Sequence, residues 1–287
     1  MIKAIILDLD GTLLTSEKQI SPRTGNFLLE CMKRGIKIII ATARPPRLKQ
    51  MLSIDHSFEP IIQGDGVFYN GGCTKIAGKK NYVPITMNSQ LQDFLLAALN
   101  HTEYRCNCAM QLKNEIHALY KPLTDDELKI WGLNRKDLQD FSLSFDQEII
   151  KIILYLTDPE KTEFFQDAAD FSETSLTAFS NTAKAFILFP QVNVLLTDQG
   201  RVIQIMNASI NKLTGLKKIL NTFNIPSDHV AVFGDDLQDI DMLSHFKHSF
   251  AMGNASEKVK KYAAFTTLSN DNDGIFHALH NNLIQLN

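Results

Sequence analysis

Asp8 and Asp10 stand two residues apart directly after the apolar run Ala4-Ile5-Ile6-Leu7, and Gly11 and Thr12 follow them. A β-branched run of this kind reads as a buried strand, so both carboxylates leave its C-terminal end pointing roughly the same way. Such a pair repels itself unless a divalent cation neutralises it, or unless one acid carries a proton while the other attacks as a nucleophile. Gly11 lets the backbone turn sharply beside the pair. The competing reading is a solvated turn or a calcium loop, but the stretch lacks the further oxygen ligands and the closing Glu of an EF-hand.

A second acidic group, Asp235, Asp236, Asp239 and Asp241, follows the apolar run Val230-Ala231-Val232-Phe233 and Gly234. Brought next to Asp8 and Asp10, these carboxylates need a cation between them, and oxygen-only ligation points to magnesium. Thr42 ends a third apolar run, Ile36 to Ala41, where a hydroxyl alone would be an ordinary cap. Lys212 falls in the first turn of a helix expected to continue through Leu220. There a cation opposes the helix dipole, which a neighbouring anion would repair, although a solvated surface lysine is the plainer reading of that residue alone. A nucleophilic acid, a second acid, a hydroxyl, a lysine and a magnesium-binding acid together suit the transfer of a phosphoryl group from a monoester.

These residues are more than two hundred positions apart, so the fold must gather them. Between Thr12 and Ile36 a helix is expected, with Ser21-Pro22 as its cap and first turn and Gly35 as its stop. Strand, helix, strand in that order is the βαβ signature of a parallel sheet, in which ligands bind outside the carboxyl ends of the strands. Ile61-Ile62, ending at Gln63-Gly64-Asp65-Gly66, reads as a further run of the same kind. The middle of the chain differs. From about Pro84 to Met206 it carries Leu91, Phe94, Leu95, Ala98 and Leu99 in helical spacing, then an irregular region holding Trp131. A strand over Ile149 to Thr157, a helix capped by Asp158-Pro159 and running to about Phe171, and a strand over Ala185 to Phe189 complete it. The expectation is an α/β fold: a doubly wound parallel-sheet core, residues 1–83 and 207–287, with an inserted α+β cap domain, residues 84–206. No phosphate-loop or nucleophile-elbow string lies within the insert, so it is expected to shape the site and set specificity.

With 287 residues, 44% of them hydrophobic and 21% charged, the chain can bury one large core or two ordinary ones. A net charge of -3 and the lack of any long basic stretch give no attraction to nucleic acid or anionic membranes. No apolar stretch approaches the roughly 18 residues of a membrane span, and the first apolar run ends in acids where a signal peptide would be cleaved, so a cytoplasmic protein is expected. Cys31, Cys73, Cys106 and Cys108 form no CxxC pair and read as thiols. Cys106 and Cys108 with His101 and His117 fit no zinc spacing, and the pairs His245/His248 and His277/His280 lack a third ligand nearby.

The order DLDGT at Asp8, TARP at Thr42, Lys212 and GDDLQD at Asp235 resembles the haloacid dehalogenase superfamily. Within it the chain is most similar to the Cof-like branch of sugar-phosphate phosphatases, whose α/β cap is inserted between the second and third motifs. Ala251-Met252-Gly253-Asn254-Ala255 and the stretch Asn270 to Gly274 are also typical of that branch. The resemblance implies Asp8 as the nucleophile and Asp10 as the general acid and base. It implies that Thr42, the Ala43 backbone, Lys212 and Gln238 hold the phosphate and that Arg44 faces the substrate. Magnesium would be ligated by Asp8, the Asp10 carbonyl and Asp235, with Asp239 behind them. Relatives usually carry Gly where this chain has Ala43 and Leu213, Asn where it has Gln238, and Asn-Gly where Asp65-Gly66 stands. The implied activity is hydrolysis of a small phosphorylated metabolite, a sugar phosphate or phosphorylated cofactor, through an aspartyl-phosphate. A phosphomutase of the phosphomannomutase type and a non-catalytic phospho-ligand sensor are the alternatives.

Overall fold

The computed structural model describes residues 1–125, 128, 133–141, 147–157 and 171–282. Trp131 and the helix expected after Asp158-Pro159 lie outside them. Contacts divide the chain into two compact units, one made of Met1–Asn81 and Asn211–Asn287, the other of Tyr82–Ile210.

The strands of the first unit are β1 (Ala4–Leu7), β2 (Lys37–Ala41), β3 (Gly66–Phe68), β4 (Cys73–Ile76) and β5 (Lys79–Tyr82), whose last residue alone falls in the second unit. In the second unit lie β6 (Cys106–Leu112), β7 (His117–Leu119), β8 (Leu138–Asp140), β9 (Ile149–Leu156), β10 (Val192–Thr197) and β11 (Val202–Asn207). The chain then returns to the first unit with β12 (Val230–Gly234), β13 (His248–Ala251) and β14 (Phe265–Thr266).

Among the described residues the first sheet has the order β14-β13-β12-β1-β2-β3-β4-β5. It is parallel from β14 to β3 and turns antiparallel at β4. β1 is central, its four residues fully buried, which is why a near-continuous apolar run marks it. Ala4 and Ile6 share a core with Ile39, Val232 and the apolar side of the helix Lys212–Thr222. On the other side, the helix Pro22–Lys33 packs against β2 and against the helix Gly274–Asn282, so helices cover both faces. Ser21 caps the helix Pro22–Lys33, its hydroxyl accepting from the Thr24 amide, and Gly35 follows it with φ +81°.

The second unit is a largely antiparallel sheet of order β10-β11-β9-β6-β7-β8. One face carries Cys106, Cys108 and Met110 and packs against the helices Ser89–Leu99 and Glu173–Ala185. Burial pushes the Cys106 thiol up to about 12, so it has no thiolate character.

Three expectations fail. The stretch after Leu99, expected to be irregular, carries β6, β7 and β8. Ile61-Ile62 belongs to the short helix Glu59–Gln63, and the strand starts only at Gly66. Ala185 ends a helix, and Phe186–Leu188 forms a 3-10 turn that buries Phe186 and leaves both Ile187 and Leu188 exposed. That arrangement has no alternating face, and the strand begins at Val192. No helix among the described residues is long and apolar enough to cross a membrane.

Candidate active site

Parallel strands end their runs on one edge, and the chemical residues of the first unit stand along it. Asp8 follows β1 and is 6% exposed, its amide donating to the Phe233 carbonyl at 3.2 Å. Lys212 opens its helix under the cap of Asn211 and is 4% exposed. Its Nζ donates to Asp8 Oδ1 and to Asp239 Oδ1, each at 2.6 Å. These two carboxylates are the anions that a lysine in a first helical turn calls for. Burial alone would depress the Lys212 pKa, but Asp239 and Asp8 raise it, so the ammonium is fixed.

Asp235 follows β12. Its Oδ1 accepts from the Thr12 hydroxyl at 2.7 Å, and its carboxylate rests where a side chain on Gly11 would be. Gly11 has φ +80°, so only glycine suits both the turn and the close approach. Asp239 is spent on the loop itself: Oδ2 accepts the amides of Asp235 and Asp236 at 3.0 and 3.1 Å, and Oδ1 holds Lys212.

One oxygen from each of Asp8, Asp235 and Asp239 falls within 4.8 Å of the others. Two buried acids and a half-buried one against one lysine leave excess negative charge. Burial pushes Asp8 well above the usual carboxylate range despite Lys212. Burial likewise raises Asp235 to about 7 despite the Thr12 hydroxyl, with Asp239 adding to the rise. Oxygen donors with unbalanced charge fit a hard divalent cation.

Asp10 is drawn aside from this cluster. Arg44 Nε and Nη2 fork onto its two oxygens at 2.6 and 2.7 Å, and Lys18 Nζ donates at 3.0 Å. Partial burial opposes ionisation, but the Arg44 hydrogen bonds and charge, helped by Lys18, bring Asp10 down to about 2. Thr42, just past β2, is buried, and its Oγ1 accepts the Arg44 amide at 3.1 Å. Ala43, between them, is half-buried.

The residues that depart from the family pattern sort differently. Leu213 packs on the apolar core beside Leu216. Asp65 bonds the Ala77 amide at 2.7 Å and Lys37 Nζ at 3.4 Å, beside the residue that starts β2, so its charge stands at the edge of the sheet opposite Thr42. The Asn-Gly pair at the site's own edge is Asn70-Gly71, after β3. Gln238 accepts from Asn70 Nδ2 at 2.5 Å and donates to Asp236 Oδ2 at 3.2 Å.

Sequence reasoning gave no role to Thr12, Lys18 or Asn70. The spacing of DLDGT could have flagged Thr12; Lys18 and Asn70 sit at positive φ in loops, where no periodicity speaks. The late motifs are anchors for the loop after Asp8. Asn254 Nδ2 donates to the Gly11 carbonyl at 2.9 Å, and Asn270 Nδ2 to that of Leu14 at 2.9 Å. Asp271 accepts from the Ser16 amide and hydroxyl at 2.8 and 2.6 Å.

The chain is 26% identical over 282 residues to an Arabidopsis thaliana protein named Endoribonuclease YBEY, chloroplastic, covering 96% of this chain and 46% of that protein, so it spans about half the relative's length. It is 24% identical over 282 residues to the 5-amino-6-(5-phospho-D-ribitylamino)uracil phosphatase YitU of Bacillus subtilis (strain 168), covering 94% of each chain. Among solved structures, the haloacid dehalogenase subclass IIB sugar phosphatase BT4131 superposes with a TM-score of 0.74 at 21% identity, covering 97% of this chain and 98% of that one. The family model described as haloacid dehalogenase-like hydrolase matches residues 5–279, from the strand that precedes Asp8 to the last described helix, and the chain belongs to that family.

Proposed function

We propose that this hydrolase is a magnesium-dependent phosphatase of small phosphomonoesters that works through a phosphorylated Asp8. The observation that carries the reading is the bridge from Lys212 to Asp8 and Asp239 at 2.6 Å each, beside Asp235. It fixes one oxygen of a buried carboxylate and leaves the other for attack on phosphorus in line with the leaving oxygen. Magnesium, held by the Asp8 and Asp235 carboxylates and the Asp10 carbonyl, would balance the charge of the phosphoryl oxygens.

Lys212, the Thr42 hydroxyl and the Ala43 amide hold the phosphoryl group while Asp8 attacks. Asp10, ionised while Arg44 holds it, takes up a proton from solvent on release, gives that proton to the departing alkoxide and then takes one from the water that hydrolyses the intermediate. It can do so only after leaving Arg44, whose fork occupies both its oxygens. Arg44 therefore trades the Asp10 carboxylate for anionic oxygens of the ester, which frees the acid as substrate arrives. The unit Tyr82–Ile210 selects the leaving group. YitU and BT4131 are named for esters with polyhydroxylated leaving groups, which supports sugar phosphates or sugar-bearing cofactors as the substrate class.

The test is a phosphate-release screen of the purified chain over sugar phosphates, phosphorylated cofactors, sugar bisphosphates and an aryl phosphate, with magnesium and with chelator. Turnover that vanishes in chelator and returns with magnesium is expected. Undiminished turnover in chelator contradicts the metal assignment, no turnover with any ester favours a sensor, and phosphate passed between bisphosphate and monophosphate sugars identifies a mutase.

A further inference from the structure

We propose that Asn70 and Gln238 are a positioning pair that ties the loop of Thr42 to the loop of Asp235 and keeps the phosphoryl-binding and cation-binding sides of the site in one register. The proposal rests on the phosphatase reading above.

Tyr69, Asn70 and Gly71 have φ values of +51°, +54° and +114°, three left-handed residues in succession. Side-chain-bearing residues avoid that region, Asn least, so something must hold the run there. It is held by the site. The Tyr69 amide donates to the Arg44 carbonyl and the Asn70 amide to the Thr42 carbonyl, each at 3.0 Å. Gly71 lies so close to the backbone of Asn211, the residue before Lys212, that a Cβ would collide with it.

From this run the Asn70 side chain, 2% exposed, reaches across 168 positions to give Gln238 Oε1 a 2.5 Å hydrogen bond. Gln238 Nε2 then donates to Asp236 Oδ2, and the Asp236 amide donates to Asp239 Oδ2. A continuous series of hydrogen bonds thus joins the Thr42 carbonyl to the carboxylate that holds Lys212. Asn at position 238 would withdraw the carboxamide by about 1.5 Å and break it. The longer side chain is therefore matched to Asn70, and Gln238 acts on the phosphate through the loops and not by touching it. Small misplacements of groups that must meet in a transition state lower the rate more than the binding of substrate.

The experiment is a double-mutant cycle with Asn70→Gly, which keeps the left-handed backbone, and Gln238→Met, which keeps the length without the hydrogen bonds. kcat and KM for 4-nitrophenyl phosphate with magnesium are read beside Tm. Each single variant is expected to lose about tenfold in kcat with KM within about twofold, and the double variant to lose about tenfold again in total, not about a hundredfold. An active parent with losses that multiply, or variants with lowered Tm and parental kcat, overturns the proposal alone. An inactive parent overturns the phosphatase reading and this proposal together.

Discussion

An acid whose pKa rises on folding makes the native state less stable as the pH climbs past its unfolded value. Asp235 is such an acid, raised to about 7 by burial and the neighbouring Asp239 against the Thr12 hydroxyl, and Asp8 is shifted in the same direction. Between the unfolded value near about 4 and about 7, the native state binds more protons than the unfolded chain, so stability falls through that window. A cation among the three acids favours their ionised forms and removes the penalty. In chelator, Tm should fall from about pH 5 to about pH 8, and the rise in Tm on adding magnesium should be larger at the higher pH. A magnesium increment independent of pH would contradict the ligand assignment, and Asp235→Asn should reduce that increment and weaken magnesium binding. Asp10 acts at the other end of the scale: held at about 2, it contributes stability present above about pH 4 and lost as the pH falls toward about 2.

The turn after β1 is the element on which the acids depend. Gly11 has φ +80° and the Asp235 carboxylate occupies the space of a Cβ, so Gly11→Ala should lower stability by about 1–2 kcal/mol from the backbone alone. By displacing Asp235 it should also raise the magnesium concentration needed for half-maximal activity. Urea unfolding and a magnesium titration check both, and an unchanged titration would mean that the turn does not set the position of Asp235. β1, β2, β12 and the helix Pro22–Lys33 were legible because each joins a buried apolar run or an amphipathic stretch to a cap or a chemical residue. Ile61-Ile62 and Ala185 to Phe189 were not, because so short an apolar run has the same appearance in a helix, a 3-10 turn or a strand. The acids could be read from their place after buried apolar runs, whereas Lys212 alone reads as a solvated lysine and gained its role from the family resemblance. The Arg44 fork on Asp10 and the Asn70 contact with Gln238 could not, since both depend on loop conformations that leave no period in the sequence.

For the whole molecule, we propose that the unit Met1–Asn81 with Asn211–Asn287 carries the chemistry common to every ester and that the unit Tyr82–Ile210 sets the choice among esters. Transition-state charge develops on the phosphoryl group, which all substrates share. Lys212→Ala should therefore depress kcat/KM about 10²–10³-fold for every ester, while substitutions within Tyr82–Ile210 should mostly reorder the preference. Loss toward one ester only in Lys212→Ala would contradict this division. The central claim is the covalent route through Asp8, with Asp10 moving the protons. Asp8→Asn lacks the nucleophile, whereas Asp10→Asn keeps it but lacks the base that hydrolyses the intermediate, and a phenolate leaves without a proton donor. Acid quenching of each variant after brief exposure to an aryl phosphate with magnesium, followed by intact-mass measurement, tests this most directly. A phosphate adduct on Asp10→Asn and none on Asp8→Asn is the expected result; an adduct on Asp8→Asn and none on Asp10→Asn would show the two roles to be reversed.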